Sequence, residues 1–444
     1  MAGLRDQNGE NGLRDQNGGR GPIPLQFLPD HSKVDAGGRL AIGGCDLLDV
    51  AHEFGTPVFV YDEQHLRDRC REAVAAFPGG VAYATKAFLC VAMARLAHEE
   101  GMQLDVATGG EMHVALAAGV PADTLVLHGN NKSITELAMA RTAGVGRIVV
   151  DSFDELERLT LLHQDDGFAP QVLLRITPGI EAHTHEFVRT GQEDSKFGFG
   201  LHSGAAGRAI ELATSSPAVD LVGLHMHIGS QVFVAESFHD AVAAMAPFVE
   251  THDLPEFCIG GGLGVPYVEG ESAPTITEWG TAIQDGCRDA GIDATITAEP
   301  GRSIAAAAAV TLYTVGTIKE IPGVRTYVSV DGGMSDNPRP VLYGSGYETF
   351  LPRAADAERP KGVRLVGKHC ESGDLLVREG WVPDDFEVDD ILATPVTGAY
   401  GHSMGSNYNK ILRPAVVFCR DGDARLVVRR ESFEDLVRND VFEQ

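Results

Sequence analysis

The sequence predicts an α/β fold made of a (β/α)8 TIM-like barrel and a C-terminal, mostly-β domain. First, eight short apolar runs recur between residues 81 and 301, and most are followed by a segment with apolar residues at helical spacing. Second, after about residue 310 the helical segments stop, and short apolar runs alternate with turn residues. A doubly wound sheet is the alternative for the first region, but that fold usually ends after about five or six strands.

The strand candidates of the barrel are short apolar runs, each placed before a turn or a helical pattern. The segment AFLCVAMARLAHEEG, which follows the first of them, has apolar residues at helical spacing and closes with a glycine, a common helix terminator. In chain order the strand candidates are residues 81–86, 103–108, 124–129, 147–152, 171–177, 221–229, 256–262 and 294–301.

The second domain contains strand candidates separated by turn residues, namely RTYVSVDGG, GVRLVGKHC, DLLV, DDILATPVTG, PAVVFCR and ARLVVRR. Helical spacing returns near the end, at residues 432–440. We therefore divide the chain into four parts. They are a disordered polar tail with a repeated LRDQNG (1–22), an extended segment that joins the β domain (23–60), the barrel (61–310) and the β domain (311–444).

Composition excludes several classes of protein. The formal net charge of −27 argues against nucleic acid and anionic membranes as partners, because both require a basic face. The sequence contains no apolar run of about 18 residues and no apolar signal core near its start. Seven cysteines are scattered without a CxxC pattern, which is typical of reduced thiols. We therefore expect a cytoplasmic protein.

The strand ends of the predicted barrel carry polar, titratable or glycine residues. In this fold the C-terminal ends of the strands and their loops form the active site. A catalytic mouth is therefore expected there, and position on the fold indicates it more strongly than any single residue. The residues are Lys86, Asp105, His128, Asp151, Arg175, His227, Gly260, Gly261, Gly262 and Glu299.

Three of these features together suit pyridoxal phosphate. Lys86 alone would indicate only a surface lysine at a strand end. However, GGGLG (260–264) and EPGRS (299–303) follow the seventh and eighth strands, where barrels often bind phosphate through backbone N–H groups. Lys86 would bind the cofactor covalently, and the glycine segments would hold its phosphate. The Glu299 carboxylate would keep the pyridine nitrogen protonated, which makes the ring a better electron sink.

The HMHIGSQ segment raises a metal site as an alternative. His225 and His227 lie two residues apart on a strand and therefore share one face. Metal-dependent barrels need further histidines and an aspartate at matched strand ends, and the second pair, in HTHE at 183–186, falls in a loop. We therefore expect no metal, and we place His227 on the cofactor ring and Ser230 at the phosphate.

Eight segments together resemble those of the diaminopimelate decarboxylases, which belong to the alanine-racemase-like, fold-type III enzymes that use pyridoxal phosphate. The likeness runs from about residue 25 to 430, and DNPRP with CESGD is more specific than the glycine loops. The segments are YATKA, EFVRTGQEDSKFGFG, HMHIGSQ, GGGLG, EPGRS, DGGMSDNPRPVLYG, GKHCESGDLL and TGAYGHSMGSNYN.

The resemblance implies a role for each site residue. Lys86 would hold the cofactor, His227 would stack on its ring and Glu299 would face the pyridine nitrogen. The phosphate or the adjoining substrate position would be surrounded by Ser230, Gly260, Gly261, Gly262, Gly301 and Arg302, and Tyr400 would touch both cofactor and substrate. The distal end of the substrate would be read by Arg302, Arg339, Tyr343 and Glu371.

The resemblance also implies that Cys370 donates a proton to the substrate carbon after CO2 leaves, from a loop supplied by the partner subunit of a homodimer. The chemistry agrees, because an ordinary thiol has a pKa of about 8.5 and carries a proton at neutral pH. The alternative for a free cysteine is a small buried hydrophobe. The neighbours Glu371, Gly373 and Asp374 argue against an apolar pocket at this position.

The implied reaction is decarboxylation of meso-2,6-diaminopimelate to L-lysine, the last step of bacterial lysine biosynthesis. One alternative keeps the fold and acts on ornithine, arginine or a carrier-bound amino acid. Those relatives lack the paired DNPRP and CESGD, and both are present here. A racemase is a further alternative, and it would reprotonate the substrate without loss of CO2. A hypothesis of a different class, a non-catalytic binding protein, would be expected to lose Lys86 or Cys370, and both are present.

Overall fold

The N-terminal part of the chain is a small antiparallel sheet followed by a helix and a buried strand. The computed structural model describes residues 19–179 and 195–441. The sheet consists of β1 (Ser32–Val34), β2 (Leu40–Ile42) and β3 (Cys45–Asp46). Helix α1 (Leu47–Phe54) starts there because the Asp46 side chain accepts hydrogen bonds from the first free backbone N–H groups. Strand β4 (Val58–Asp62) follows and is wholly buried.

A parallel barrel follows, and all eight predicted strands are confirmed. Ala82 N donates to Ala298 O at 2.9 Å and Ala84 N donates to Pro300 O at 3.1 Å, so the first and last strands meet and close the barrel. In the described residues its strands are β5 (Ala82–Ala84), β6 (Gln103–Val106), β7 (Leu125–Leu127), β8 (Arg147–Val150), β9 (Gln171–Thr177) with the short β10 (Phe199–Gly200) beside it, β11 (Asp220–Met226), β12 (Glu256–Cys258) and β13 (Thr295–Thr297).

Helices alternate with the barrel strands, and several begin at a Ser or Thr cap close after a strand end. Ser133 and Thr275 each form a capping box with the glutamate three residues later. The helix before β11 was not predicted from the sequence. The helices are α2 (Glu63–Ala76), α3 (Val91–Glu99), α4 (Gly109–Ala117), α5 (Ile134–Ala143), α6 (Phe153–Asp166), α7 (Ala205–Ser215), α8 (Glu236–His252), α9 (Ile276–Asp289) and α10 (Arg302–Ala305).

A layer of apolar side chains fills the barrel one step below its C-terminal mouth. Side chains two residues apart on a strand share a face. Val126 therefore lies below His128, and Leu173 lies below Arg175, on the inner face of the barrel. The layer closes the floor beneath the strand-end residues and consists of Ala82, Val126, Val149, Leu173, Val222 and Cys258.

The C-terminal domain is a mostly antiparallel sheet that also includes β4. Strand β4 pairs with β14 on one side and with β19 on the other, so the N-terminal segment contributes to this sheet. The elements are β14 (Ala309–Ile321), β15 (Arg325–Val330), α11 (Arg339–Tyr343), β16 (Lys361–Val366), β17 (Leu375–Val382), β18 (Ile391–Pro395), β19 (Ala415–Arg420) and β20 (Asp423–Val428).

Two local predictions differ from the structure. No strand candidate was named in the alanine-rich stretch at 303–315, but β14 begins at Ala309, because pairing with β4 and β18 outweighs the low strand propensity of alanine. Residues 432–440 form successive turns, such as Asp435 N to Ser432 O at 3.1 Å, where a helix was expected. The predicted tail (1–22) lies outside the described residues up to residue 18, while Arg20 N donates to Arg359 O at 3.0 Å.

In the part of the chain that the structure describes, no helix combines the length and apolar character needed to span a bilayer.

Candidate active site

Lys86 lies directly after the first barrel strand, in a single 3-10 turn. Thr85 Oγ1 donates to Asp105 O at 2.8 Å, and Tyr400 N donates to Ala87 O at 2.8 Å, so the backbone on each side of the lysine is held. The Lys86 side chain is exposed and lines a cavity of about 360 Å³ at the barrel mouth. An amine on a fixed backbone beside a cavity is suited to covalent attachment of a carbonyl compound.

Glu299 is buried in the same cavity and is held by two histidines. Its Oε1 lies 2.6 Å from His128 Nε2, and its Oε2 lies 2.9 Å from His225 Nε2. Burial by itself raises the pKa of this carboxyl, but the two imidazoles outweigh burial, and the pKa of Glu299 is well below its ordinary range. Glu299 is therefore an anion of fixed orientation. Each carboxylate oxygen has a second lone pair that can accept from a ligand.

Asp105 stands beside this group. Its Oδ1 lies 3.9 Å from His128 Nε2, and burial, with the charge of Glu299 adding to it, raises the pKa of Asp105 to about 6. Burial also lowers the pKa of His225, although Glu299 opposes the shift. Because an ionised carboxylate can only accept, the neutral His225 ring donates its Nε2–H to Glu299.

His128, His225 and Glu299 also have the chemistry of metal ligands, since one ligand atom from each lies within 4.8 Å of the others. The nitrogen–oxygen separations of 2.6 and 2.9 Å are those of hydrogen bonds or close ion pairs. A zinc ion bonded to both atoms at about 2.0–2.1 Å would hold them further apart. The geometry is therefore that of a carboxylate bound by imidazoles. The HTHE pair at 183–186 lies outside the described residues.

A glycine-lined wall forms the side of the cavity that the sequence assigned to phosphate. Gly261, Gly262 and Gly301 line the cavity. A Cβ at Gly261 would overlap the carbonyl oxygen of Glu299, and Gly262 has a φ of +115°, so neither position accommodates another residue without strain. Backbone N–H groups can therefore approach a ligand closely here, as a phosphate requires. Gly260, with a φ of +68°, supports this wall from behind, since its carbonyl accepts from Glu299 N at 2.8 Å.

His227 presents a neutral ring to the cavity. Its Nδ1 accepts from Gly261 N at 3.2 Å, which leaves Nε2 to carry the proton. Burial lowers the pKa of His227 well below its ordinary value, and the nearby cations of Lys86 and Arg175 lower it further. A neutral imidazole can stack on an aromatic cofactor without placing a second charge against it.

Two buried arginines occupy the same end of the molecule. Arg302 donates to Ser230 Oγ at 2.9 Å, and Arg339 donates to the Tyr347 hydroxyl at 2.6 Å. Within residues 19–179 and 195–441, neither guanidinium has a carboxylate within 4.0 Å. A buried cation without a counter-ion favours an anionic ligand, and a guanidinium can bind a carboxylate through two hydrogen bonds. Arg302 lines the cavity, whereas Arg339 lies beyond its lining.

Two tyrosines of the predicted site differ in position. Tyr400 lines the cavity with a φ of +60°, which is uncommon for a residue other than glycine, and its ring centre lies 4.6 Å from Arg302 Cζ. Such backbone strain is frequent at ligand-binding positions. Tyr343 ends α11, is half-buried and does not line the cavity.

The CESGD loop (370–374) lies outside the cavity. Cys370 and Glu371 are exposed, and the other six cysteines are buried. The loop backbone is nevertheless held firmly. The buried Asp374 carboxylate accepts from Met334 N at 2.7 Å and from His369 N at 2.9 Å. Asn409 Oδ1 accepts from Cys370 N at 3.0 Å.

The structure therefore divides the predicted site residues into two sets. The first set lines one cavity and consists of Lys86, His227, Ser230, Gly261, Gly262, Glu299, Gly301, Arg302 and Tyr400. The second set lies off its lining and consists of Gly260, Arg339, Tyr343, Cys370 and Glu371.

Sequence reasoning assigned no role to several residues around the cavity. His128, Asp105 and Arg175 were noted as strand-end residues, but their contacts with Glu299 or its neighbours were not predicted. Arg175 Cζ lies 4.3 Å from the centre of the Phe197 ring, which lines the cavity. Tyr267, three residues beyond GGGLG, contacts both buried arginines. Its position just after a glycine loop at a barrel strand end was the available signal.

Comparison with known proteins identifies the class of enzyme. Residues 63–306 match the family model "Pyridoxal-dependent decarboxylase, pyridoxal binding domain", which covers more than half of the chain. The cavity fits this cofactor, because it combines a fixed lysine, a carboxylate anion and a wall that only glycine can form. The fold and the cavity are those of a decarboxylase that depends on pyridoxal phosphate.

Relatives define the family more narrowly. The diaminopimelate decarboxylase of Mycobacterium tuberculosis (strain H37Rv) is 46% identical over 435 residues, which cover 93% of this chain and 97% of that relative. The diaminopimelate decarboxylase of Bacillus subtilis is 47% identical over 433 residues, covering 94% and 98%. The structure of the M. jannaschii diaminopimelate decarboxylase in co-complex with L-lysine has a TM-score of 0.86 and 32% identity, covering 94% and 98%. The chain belongs to the diaminopimelate decarboxylase family.

Proposed function

We propose that this chain catalyses the decarboxylation of meso-2,6-diaminopimelate to L-lysine and CO2, with pyridoxal phosphate as cofactor, in bacterial lysine biosynthesis. The observation that carries the substrate assignment is the pair of buried arginines beside the pyridoxal cavity, which have no carboxylate partner among residues 19–179 and 195–441. Diaminopimelate has a second carboxylate, which meets that requirement. L-lysine keeps this carboxylate, and a relative of similar fold has been solved with L-lysine.

The residues of the chain prepare the reaction around the cofactor. When bound, pyridoxal phosphate supplies an electron sink for the pair of electrons that the departing CO2 leaves behind. Lys86 would be the amine for attachment, Gly261, Gly262 and Gly301 would hold the phosphate, and the Glu299 anion would face the ring nitrogen. The neutral His227 ring, which lines the cavity and is held by Gly261 N, would stack on the cofactor ring.

Ornithine and arginine fit the arginine pair poorly. Each carries a cation at its distal end, and Arg302 and Arg339 would repel it in a buried site. The distal centre of diaminopimelate carries a carboxylate as well as an ammonium group. We assign the carboxylate to the arginines and Tyr343, and we assign the ammonium group to Glu371.

We further propose a homodimer in which the CESGD loop enters the cavity of the partner subunit. Cys370 and Glu371 are exposed and lie off the cavity of their own chain, although the loop backbone is held by Asp374 and Asn409. In the dimer Cys370 would give its proton to the substrate carbon, and Glu371 would bind the distal ammonium. We also place the enzyme in the cytoplasm and keep the domain division of 1–22, 23–60, 61–310 and 311–444.

The first experiment measures CO2 released from meso-diaminopimelate by the purified enzyme loaded with pyridoxal phosphate, with L-lysine quantified in the same reaction. Equal amounts of CO2 and L-lysine are expected. Ornithine and arginine, assayed in parallel, should release CO2 far more slowly. Faster release from either would overturn the substrate assignment but not the cofactor, whose absorbance is recorded separately.

A further inference from the structure

Tyr267 lies between the two buried arginines of the substrate end. Its hydroxyl accepts a hydrogen bond from Arg302 Nη1 at 2.8 Å. The face of its ring lies 4.1 Å from Arg339 Cζ, within the range of a cation–π contact. Arg302 starts a helix of the barrel, whereas Arg339 starts a helix of the β domain. One side chain thus bridges a cation from each domain.

A second tyrosine completes the arrangement. Tyr347 accepts from Arg339 Nη1 at 2.6 Å and packs edge-on against Tyr267, with ring centres 5.2 Å apart at 79°. Both tyrosines are buried. Two guanidinium groups in a buried site repel each other, and a neutral aromatic group between them keeps them apart while leaving their remaining N–H groups free for a ligand.

The two loops that carry the tyrosines are locked to each other. Arg359, which is 1% exposed, lies 3.1 Å from a carboxylate oxygen of Glu269 and 3.1 Å from one of Glu348. Glu269 is two residues after Tyr267, and Glu348 is the residue after Tyr347. Glu269 N also donates to Glu348 Oε1 at 3.2 Å. These mutually bound charges, of which Arg359 and Glu348 are buried and Glu269 is half-buried, make the position of the tyrosines rigid.

We propose that Tyr267 is a positioning residue that sets the separation of Arg302 and Arg339 and so selects substrates with a carboxylate at the distal end. The inference rests on the proposed function, because it takes the two arginines to be the distal carboxylate site. Tyr267 acts on the substrate through the arginines. Its hydroxyl orients Arg302, and its ring orients Arg339.

The test compares two ligands of the enzyme loaded with pyridoxal phosphate. L-lysine keeps the distal carboxylate, whereas cadaverine has the same chain and lacks it. Tyr267→Leu, which removes both the ring and the hydroxyl, should raise the dissociation constant of L-lysine about tenfold or more and leave that of cadaverine within about twofold. Tyr267→Phe removes only the hydroxyl and should raise the value for L-lysine by a smaller factor. Calorimetric titration measures both ligands.

Tyr61→Phe is the matched control, because Tyr61 is also buried and its hydroxyl donates to Gly398 O at 2.8 Å rather than binding either arginine. It should leave the ratio of the two dissociation constants unchanged. Equal weakening of L-lysine and cadaverine in Tyr267→Phe, which keeps the volume of the side chain, would show a merely structural role and overturn the inference. A wild-type enzyme that forms no L-lysine from diaminopimelate would instead overturn the proposed function.

Discussion

The cavity at the barrel mouth and the CESGD loop differ in what surrounds their reactive side chains. In the cavity, Glu299 is bound by His128 and His225, and the Lys86 side chain, although exposed, lines the same space. In the loop the backbone is held as firmly, through Asp374 and Asn409, but Cys370 is exposed.

This difference shows that a preorganised backbone does not imply a complete site. Asp374 uses both carboxylate oxygens to orient a loop whose Cys370 and Glu371 side chains do not line the described cavity of their own chain. A loop ordered in this way can bind a second surface at a lower cost in free energy. Its conformational entropy has already been lost during folding and is not lost again when the active site is completed. The predictions below test the two regions separately and then together.

The largest loss of activity is expected from a substitution in the cavity. Lys86→Ala removes the amine that we propose attaches the cofactor, and CO2 release should fall by about a thousandfold or more. The phosphate wall remains, so the variant should still bind pyridoxal phosphate without the covalent link. CO2 release and the absorbance of the bound cofactor are the measurements. Lys33→Ala, at an exposed lysine in β1, should retain full turnover. Substantial turnover by Lys86→Ala would remove the basis for the cavity assignment.

The next largest loss of activity is expected from a substitution in the CESGD loop. Cys370→Ala removes the proposed proton donor, and turnover should fall by about 10²- to 10⁴-fold while the cofactor absorbance is retained. Ser372→Ala, at an exposed position in the same loop, is the control and should change turnover little. Full turnover by Cys370→Ala would show that the proton comes from another group.

Mixing the two inactive variants tests whether the regions belong to one site. If each site combines Lys86 of one subunit with Cys370 of the other, random exchange produces hybrids in half of the dimers, and each hybrid has one intact site. Activity should therefore return to roughly a quarter of the wild-type value. Mixtures that stay inactive after verified subunit exchange would place both residues in sites within a single chain.

A smaller effect, on the affinity for pyridoxal phosphate, is expected when one of the histidines that bind Glu299 is replaced. His225→Leu removes an N–H donor from a buried carboxylate, so the pKa of Glu299 should rise and the dissociation constant of pyridoxal phosphate should increase about tenfold. His225→Gln retains a donor and should recover part of the loss. Absorbance titration of the cofactor measures both variants. If the leucine and glutamine variants behave identically, the hydrogen bond does not contribute to cofactor binding.

The barrel and most of the cavity could be predicted because their signals are local in the sequence. Alternation of strands and helices defines the fold, and polar residues at strand ends mark the mouth, so Lys86 and Glu299 were placed by counting along the chain. The sequence signal for the glycine wall was also local, because consecutive glycines indicate a position where the backbone leaves no room for side chains.

The remainder depends on packing between distant segments. The contact of Tyr267 with Arg339 joins the barrel to the β domain, and no spacing rule connects positions so far apart. The start of strand β14 could not be recognised in the sequence, because its alanines have a low strand propensity. These residues form a strand because they pair with β4 and β18. The exposure of Cys370 likewise follows from how the domains fold, since the CESGD sequence by itself is equally compatible with a loop that enters its own cavity.

The smallest effect that we expect is on the stability of the folded protein, and it arises from a carboxylate that supports the CESGD loop. The buried Asp336 carboxylate accepts from Gly333 N at 2.9 Å, next to the Met334 N–H that Asp374 binds. Burial raises the pKa of Asp336 to about 7. The nearby Asp331 and Asp374 add to this shift, whereas the Gly333 N–H and the Arg430 charge oppose it.

The folded state therefore holds a proton between about pH 4 and pH 7 that the unfolded chain releases. Stability from this group is fully present below about pH 4 and is lost progressively as the pH rises to about 7, by at most about 1.4 kcal/mol per pH unit. Asp336→Asn resembles the protonated acid at every pH, so its melting temperature relative to wild type should increase from pH 5 to pH 7.5. Asp384→Asn, at an exposed position of the same domain, should show a constant difference. A constant melting-temperature difference for Asp336→Asn as well would mean that the Asp336 carboxylate is ionised throughout this pH range. The support of the CESGD loop and of the neighbouring turn would then not depend on protonation of Asp336.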